Sequence, residues 1–206
     1  MVLVWTMSEH DLDGTPPDGT DETDTDGAAD LAWETLYGET AYMCPGFDIQ
    51  REQVRLPDGT ESDFDYLSES ASVVVLPFTP DDEVVVIEEW RQAVKRVSRG
   101  LPAGGLEGDD DDLAAAARRE LEEETGYVAG EVEHLTTVEP ANGFSDAVFH
   151  YFVARDCEPG GQQDLDFNES IRVDTTTLDE LLDAARTDDL RDGRTALGVL
   201  YYSAFA

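Results

Sequence analysis

The stretch from Gly105 to Tyr127 constrains this chain more than any other. It opens on glycine, runs through the acids Asp109 to Asp112, and continues into Leu113 and four alanines. Alanine has the best helix propensity, and acids ahead of it supply capping oxygens and suit the positive end of the helix dipole. Gly126 is the expected C-cap, because the left-handed conformation there costs glycine little. Glu120, Glu123 and Glu124 share one face of this helix, since residues three and four apart are neighbours. Arg119 stands one turn before Glu123 and is placed to pair with it. Leu113, Ala116, Ala117 and Leu121 fall on the core side, leaving Glu120 and Glu124 on another. Clustered carboxylates repel one another unless a cation sits among them, and hard oxygen donors suit Mg²⁺ or Mn²⁺. A solvated acidic face is the plainer alternative.

The spacing settles between these two. Gly105, Asp111, Arg119, Glu120, Leu121, Glu123, Glu124, Gly126 and Tyr127 resemble the box of the Nudix hydrolase family, Gly-x5-Glu-x7-Arg-Glu-aliphatic-x-Glu-Glu-x-Gly-aliphatic. Asp111 replaces the first glutamate with a shorter acid, and is expected to serve the loop rather than a metal. The resemblance implies an α/β fold, a Nudix-type α/β/α sandwich with a mixed β-sheet. It implies Glu120, Glu123, Glu124 and the carbonyl of Gly104 as metal ligands. Glu123 doubles as a candidate base, and Arg119 orients the glutamates.

Flanking segments resemble the ADP-ribose pyrophosphatase branch of that family. Trp33 to Thr35 and Tyr42 to Pro45 are similar to its N-terminal region, whose strands help to form a dimer, so residues 31–70 are expected to support a homodimer. Glu88-Glu89-Trp90-Arg91 is similar to its Glu-Gln-aromatic-Arg segment, where the arginine contacts the substrate's diphosphate. A guanidinium can hold two phosphate oxygens at once; Arg91 as a surface arginine paired with one of many acids is the alternative. Leu101 to Gly105 resembles the Pro-Ala-Gly approach to the box, although Gly100 stands where many relatives carry a glutamate. The loop from Glu139 to Asp146 resembles a Ser-Pro-Gly-x-Ser-x-Glu substrate loop. Asp146 lies close to that glutamate's place and is the substrate-binding candidate, while Ala147 occupies it. Asp166 to Val173 is similar to Asp-Glu-x-Glu-x-Ile-x-Val. Glu169 matches its second glutamate, which touches metal, and is a catalytic candidate or one more surface acid. Phe167 stands at the first, the base position, and a phenyl ring cannot accept a proton.

The 206 residues suffice for one domain with a sizeable core. The net charge is −35, aspartate outnumbers glutamate, and Lys95 is the only lysine. That is the pattern of proteins that work in concentrated salt, where screening removes self-repulsion. It argues against nucleic acid as a partner, because phosphate backbones need a basic surface. Arg91, Lys95, Arg96 and Arg99 are a local exception, suited to a small anionic substrate. Cys44 and Cys157 form no zinc or disulfide signature. No apolar run approaches the roughly 20 residues of a membrane span, and Met1 to Met7 lack the basic start of a signal peptide, so a cytoplasmic location is expected. Residues 8–30 hold nine acids and one large aliphatic, and 1–30 is expected to be a flexible arm before a 31–206 domain.

Alternation marks a strand from Phe47, a turn at Pro57 to Thr60 and a returning strand at Asp63 to Leu67. Ser72 to Phe78 and Glu83 to Glu88 are β-branched runs expected to form a buried hairpin. Glu131 to Val138 and Ala147 to Ala154 read as strands, the latter with His150 as a satisfied sheet histidine. Thr177 is placed to cap a helix carrying Leu178, Leu181, Leu182 and Ala185, and Asp192 to Ala204 is a second amphipathic stretch. The expected function is metal-dependent hydrolysis of a nucleoside diphosphate linked to another group, ADP-ribose or a nucleotide sugar. The rivals are a hydrolase of dinucleoside polyphosphates or oxidised nucleotides, and a non-catalytic nucleotide sensor.

Overall fold

The computed structural model describes residues 30–206 apart from Asp109, Asp111 and Asn168. The arm read over 1–30, except Asp30, and the role read for Asp111 therefore lie outside the described residues. In chain order the elements are β1 (Glu34–Cys44), β2 (Phe47–Arg55), β3 (Glu61–Ser68), β4 (Ser72–Pro77), β5 (Glu83–Arg91), β6 (Arg96–Gly100) and β7 (Ala103–Gly105). Then come α1 (Leu113–Thr125), β8 (Tyr127–Val128), β9 (Glu131–Val138), β10 (Phe149–Arg155), β11 (Glu158–Pro159), β12 (Ile171–Thr177), α2 (Leu178–Arg186) and α3 (Gly193–Phe205).

The central sheet has the order β7-β4-β10-β9 and is mixed, with β4 and β10 parallel and the other pairs antiparallel. Its two faces are covered by helices, as strand alternation requires. Val73 and Val75 of β4 pack with Ala116, Ala117 and Leu121 of α1. Val74 and Leu76 point the other way, onto Leu181 of α2 and Val199 of α3. Both clusters are buried, and burying each such aliphatic side chain contributes roughly 1.5–3 kcal/mol.

The expected hairpin of 72–78 with 83–88 is corrected by the structure. β4 and β5 lie in different sheets, and only one isolated bridge, Phe78 to Val84, joins them. In the turn between them Asp82 takes a φ of 59°, and the chain crosses from the central sheet into the order β12-β5-β6. Each run is apolar throughout because each is the inner strand of its own sheet. The expected mixed sheet is the central one, and further sheets accompany it among the described residues. The sheet β1-β2-β3 stands apart, its turn set by Gly59 at φ 86°. It meets the central body where Leu67 bridges Ser145.

Glycine-rich 103–105 is an edge strand: Gly104 pairs with Val73 and Gly105 with Ser72. Pro102 helps to anchor it, its carbonyl accepting from Val75 N at 2.9 Å. Asp112 caps α1, accepting from Ala114 N at 2.9 Å and Ala115 N at 3.3 Å. Gly126 ends the helix at φ 73°. The strand expected from Ala147 begins instead at Phe149, because Ala147 N is engaged by Ser145 Oγ at 3.1 Å. His150 is a sheet histidine, its Nδ1 3.0 Å from Thr137 Oγ1. Thr177 and Glu180 cap α2 reciprocally. Cys44 and Cys157 are free thiols, and no described helix is long and apolar enough to cross a membrane.

Candidate active site

Edge strand β7 and helix α1 are packed so closely that a side chain at position 104 would collide with the helix. A Cβ built on Gly104 would lie 2.0 Å from Glu120 Oε2. The carboxylate of Glu120 therefore rests directly on the backbone of Gly104. One turn on, Glu124 Oε2 accepts from Ala103 N at 2.9 Å. As expected, Glu120 and Glu124 lie off the face that Ala116, Ala117 and Leu121 turn to the core, though not in solvent. They are 9% and 4% exposed, sealed between the helix and β7. Edge strand β7 exposes the Ala103 N–H that the Glu124 carboxylate satisfies, which is why an acid is tolerated there.

Burial raises the proton affinity of both groups. Glu120 is pushed up to about 7 by burial, against the opposing pull of Arg119. Burial pushes Glu124 up to about 8, with the Ala103 N–H opposing it and the nearby Glu169, Glu120 and Glu89 reinforcing it. Arg119 is the hub of the face. Its Nη1 donates to Glu120 Oε1 at 2.7 Å and to Glu123 Oε2 at 2.9 Å, and its Nη2 to Asp110 Oδ2 at 2.9 Å. Three carboxylates on one guanidinium fix the glutamates' rotamers. Their hydrogen bonds and charge hold the Arg119 proton above its ordinary range, despite partial burial.

These groups open into a basin of about 560 Å³. Among the described residues it is lined by Glu69, Glu107, Glu120, Glu123, Glu124, Asp164, Asp166 and Glu169, with Arg119 as the single cation. Gly104 is on its wall. The loop carrying Glu169 is tied to the end of α1, where Asp164 N donates to Glu123 O at 2.9 Å and Gln163 Nε2 to Glu124 O at 2.7 Å. Glu169 in turn accepts from Asp166 N at 3.1 Å. The structure thus brings together Gly104, Arg119, Glu120, Glu123, Glu124 and Glu169. It places two candidates elsewhere. Asp146 binds Ser68 Oγ at 2.6 Å and Glu69 N at 3.1 Å, fastening the strand end behind the basin wall. Arg91 lies in a narrow crevice with Glu89, Arg99, Asp192 and Arg194, its Nη2 2.8 Å from Glu89 Oε2. Phe167 is 98% exposed and is not among the residues that line the basin.

Besides the basin acids Glu69, Glu107, Asp164 and Asp166, two partners of the site's arginines escaped sequence reasoning. Asp110 sat in an acid run whose members look alike. Glu89 carried a signal: it shares strand parity with buried Val85 and Ile87, so it points inward.

The donor set suits a hard divalent cation: carboxylates plus backbone oxygen, two of the acids raised in proton affinity by burial. Among the described residues no three acid, His or Cys side chains converge into a finished ion cage, so the site fits by chemistry and by the Gly104 approach. Residues 69–195 match the family model for the NUDIX domain. The chain is 30% identical over 173 residues to the ADP-ribose pyrophosphatase of Bacillus subtilis (strain 168), spanning 83% of this chain and 92% of that protein. It is 31% identical over 169 residues to the methanol dehydrogenase activator of Bacillus methanolicus, spanning 82% and 91%. The crystal structure of an ADP compounds hydrolase, 20% identical, superposes with a TM-score of 0.73 over 83% of this chain and 92% of that one. With its box helix in place and these relatives matched over most of their length, the chain belongs to the Nudix family and is a Nudix hydrolase.

Proposed function

We propose that this protein hydrolyses the diphosphate bond of ADP-ribose or a related nucleoside diphosphate sugar. The observation that carries the reading is the pair of buried carboxylates, Glu120 and Glu124, set against β7 in a basin of eight acids. Such a basin repels a diphosphate on its own, so the substrate must arrive with divalent cations. Glu120, Glu123, Glu124, Glu169 and the Gly104 carbonyl would hold Mg²⁺ or Mn²⁺, which would neutralise the diphosphate oxygens and lower the pKa of a water. Arg119 keeps Glu120 and Glu123 oriented and does not react. Glu123, at 40% of its side chain, is more exposed than Glu120 and Glu124 and is the candidate to take the proton of the attacking water. Glu169, on the facing loop, is the other. Water oxygen bonds to one phosphorus as the bridging P–O bond breaks, giving a nucleoside monophosphate and a sugar phosphate. Arg91, in a crevice beside the basin whose Glu89 feels the charges of Glu124 and Glu169, is proposed to hold the phosphate remote from attack. Asp146 supports the substrate loop from behind.

Homodimerisation is proposed through the sheet β1-β2-β3, which presents Tyr37, Tyr42, Met43 and Phe47 to solvent. Light scattering after size exclusion measures the mass of the assembly; a monomer at micromolar concentration overturns that part. For the reaction, ADP-ribose is incubated with the protein and Mg²⁺ in concentrated salt. Release of AMP and ribose 5-phosphate, lost in Glu123→Gln and Glu124→Gln, supports the reading. Tight binding without AMP release would overturn it in favour of a sensor.

A further inference from the structure

The geometry points to Glu89 as a positioning residue that fixes Arg91 for the substrate's phosphate. This rests on the diphosphate reading above and assigns a role to a residue outside the box. Glu89 and Arg91 are two apart on β5 and so lie on one face of the strand. Their ion pair, Nη2 to Oε2 at 2.8 Å, joins unequal surroundings: the carboxylate is 10% exposed and the guanidinium 38%. A surface arginine in a chain with 48 acids has many exposed partners to exchange among. Arg91 is tied instead to a buried acid that cannot follow it into solvent. Its other nitrogens have no carboxylate partner among the described residues.

Glu89 is itself hemmed in. In register it lies between Ile171 of β12 and Ser98 of β6. Electrostatically it lies between the basin acids Glu124 and Glu169 and the cations Arg91 and Arg194. An acid in that place holds one edge of the guanidinium and leaves the rest of the fork free to meet two phosphate oxygens. Fixing the fork before substrate arrives removes an ordering cost from binding, so the contribution falls on substrate affinity.

The test compares Glu89→Gln, Arg91→Ala and the double variant with wild type, using ADP-ribose and Mg²⁺. Glutamine is isosteric, and a thermal melt confirms that each variant is folded. Glu89→Gln is expected to raise KM about tenfold with kcat within about twofold. The double variant is expected to be no worse than Arg91→Ala alone, because Glu89 acts through Arg91. Additive losses, or a fall in kcat at unchanged KM, would overturn the assignment. A wild type that releases no AMP would sink the hydrolase reading alone. The positioning claim is then decided by the Kd of ADP-ribose in Ca²⁺, with the same tenfold and non-additive pattern expected and its absence overturning it.

Discussion

Replacing Glu124 by glutamine is expected to stabilise the metal-free protein while abolishing its activity. The carboxylate is 4% exposed and burial holds its pKa near 8, against an ordinary 4.5. Between pH 4.5 and 8 the folded protein keeps a proton that the unfolded chain has released, so stability falls as pH rises through this window. At pH 7 the gap corresponds to about 3 kcal/mol held against folding. Glutamine keeps an oxygen for the Ala103 N–H but brings an amide N–H₂ that must find acceptors, which offsets part of the gain. A net increase of about 1–2 kcal/mol follows, or a rise in Tm of about 2–8 °C for a chain of this size. The assay is a thermal melt of both proteins in EDTA at pH 5 and pH 8. The difference is expected to be large at pH 8 and to shrink at pH 5, which lies only just above the unfolded carboxyl's ordinary 4.5, so that little of the penalty has yet built up. Glu120, held near 7, gives the wild type a second slope of the same sign. A Glu124→Gln protein that melts lower than wild type at pH 8, or differs equally at both pH values, would refute the reasoning.

Gly104→Ala puts a Cβ within 2.0 Å of Glu120 Oε2, so the carboxylate must leave its seat. Activity is expected to fall at least about 100-fold while the fold survives, as circular dichroism and steady-state rates can check together. Phe167→Ala should leave kcat within about twofold, because a fully exposed phenyl contributes no proton transfer. A tenfold loss would show that the tip of that loop takes part. Raising KCl from about 0.1 M to about 2 M should raise Tm, since screening relieves the self-repulsion of a −35 chain. A flat response would show that the surface charge costs little.

What the sequence disclosed and what it hid divide along physical lines. Helix α1 was legible because its cap, its alanines and its closing glycine all agree locally. Strand β9 was readable to its ends, Glu131 and Val138, because alternation there reflects one exposed face. The apolar runs of β4 and β5 declared burial but not partner: a strand covered on both faces loses the period that would reveal its neighbour. β7 was hidden because two glycines carry no strand signal, and its pairing with Val73 is a tertiary fact. Spacing named the box acids, yet the seat of Glu120 and Glu124 depends on how closely α1 approaches β7. Arg91 was found as a cation, while its buried partner Glu89 looked like one acid among 48.

The most direct test of the metal-holding helix is Mn²⁺ binding followed by the electron paramagnetic resonance signal of the free ion. About 1 M KCl in the buffer screens loose binding to the acidic surface. Wild-type protein is expected to deplete the free signal at one or more saturable sites, and the double variant Glu120→Gln with Glu124→Gln is expected to lose them. Equal depletion by the two proteins, or none by the wild type, would contradict the account.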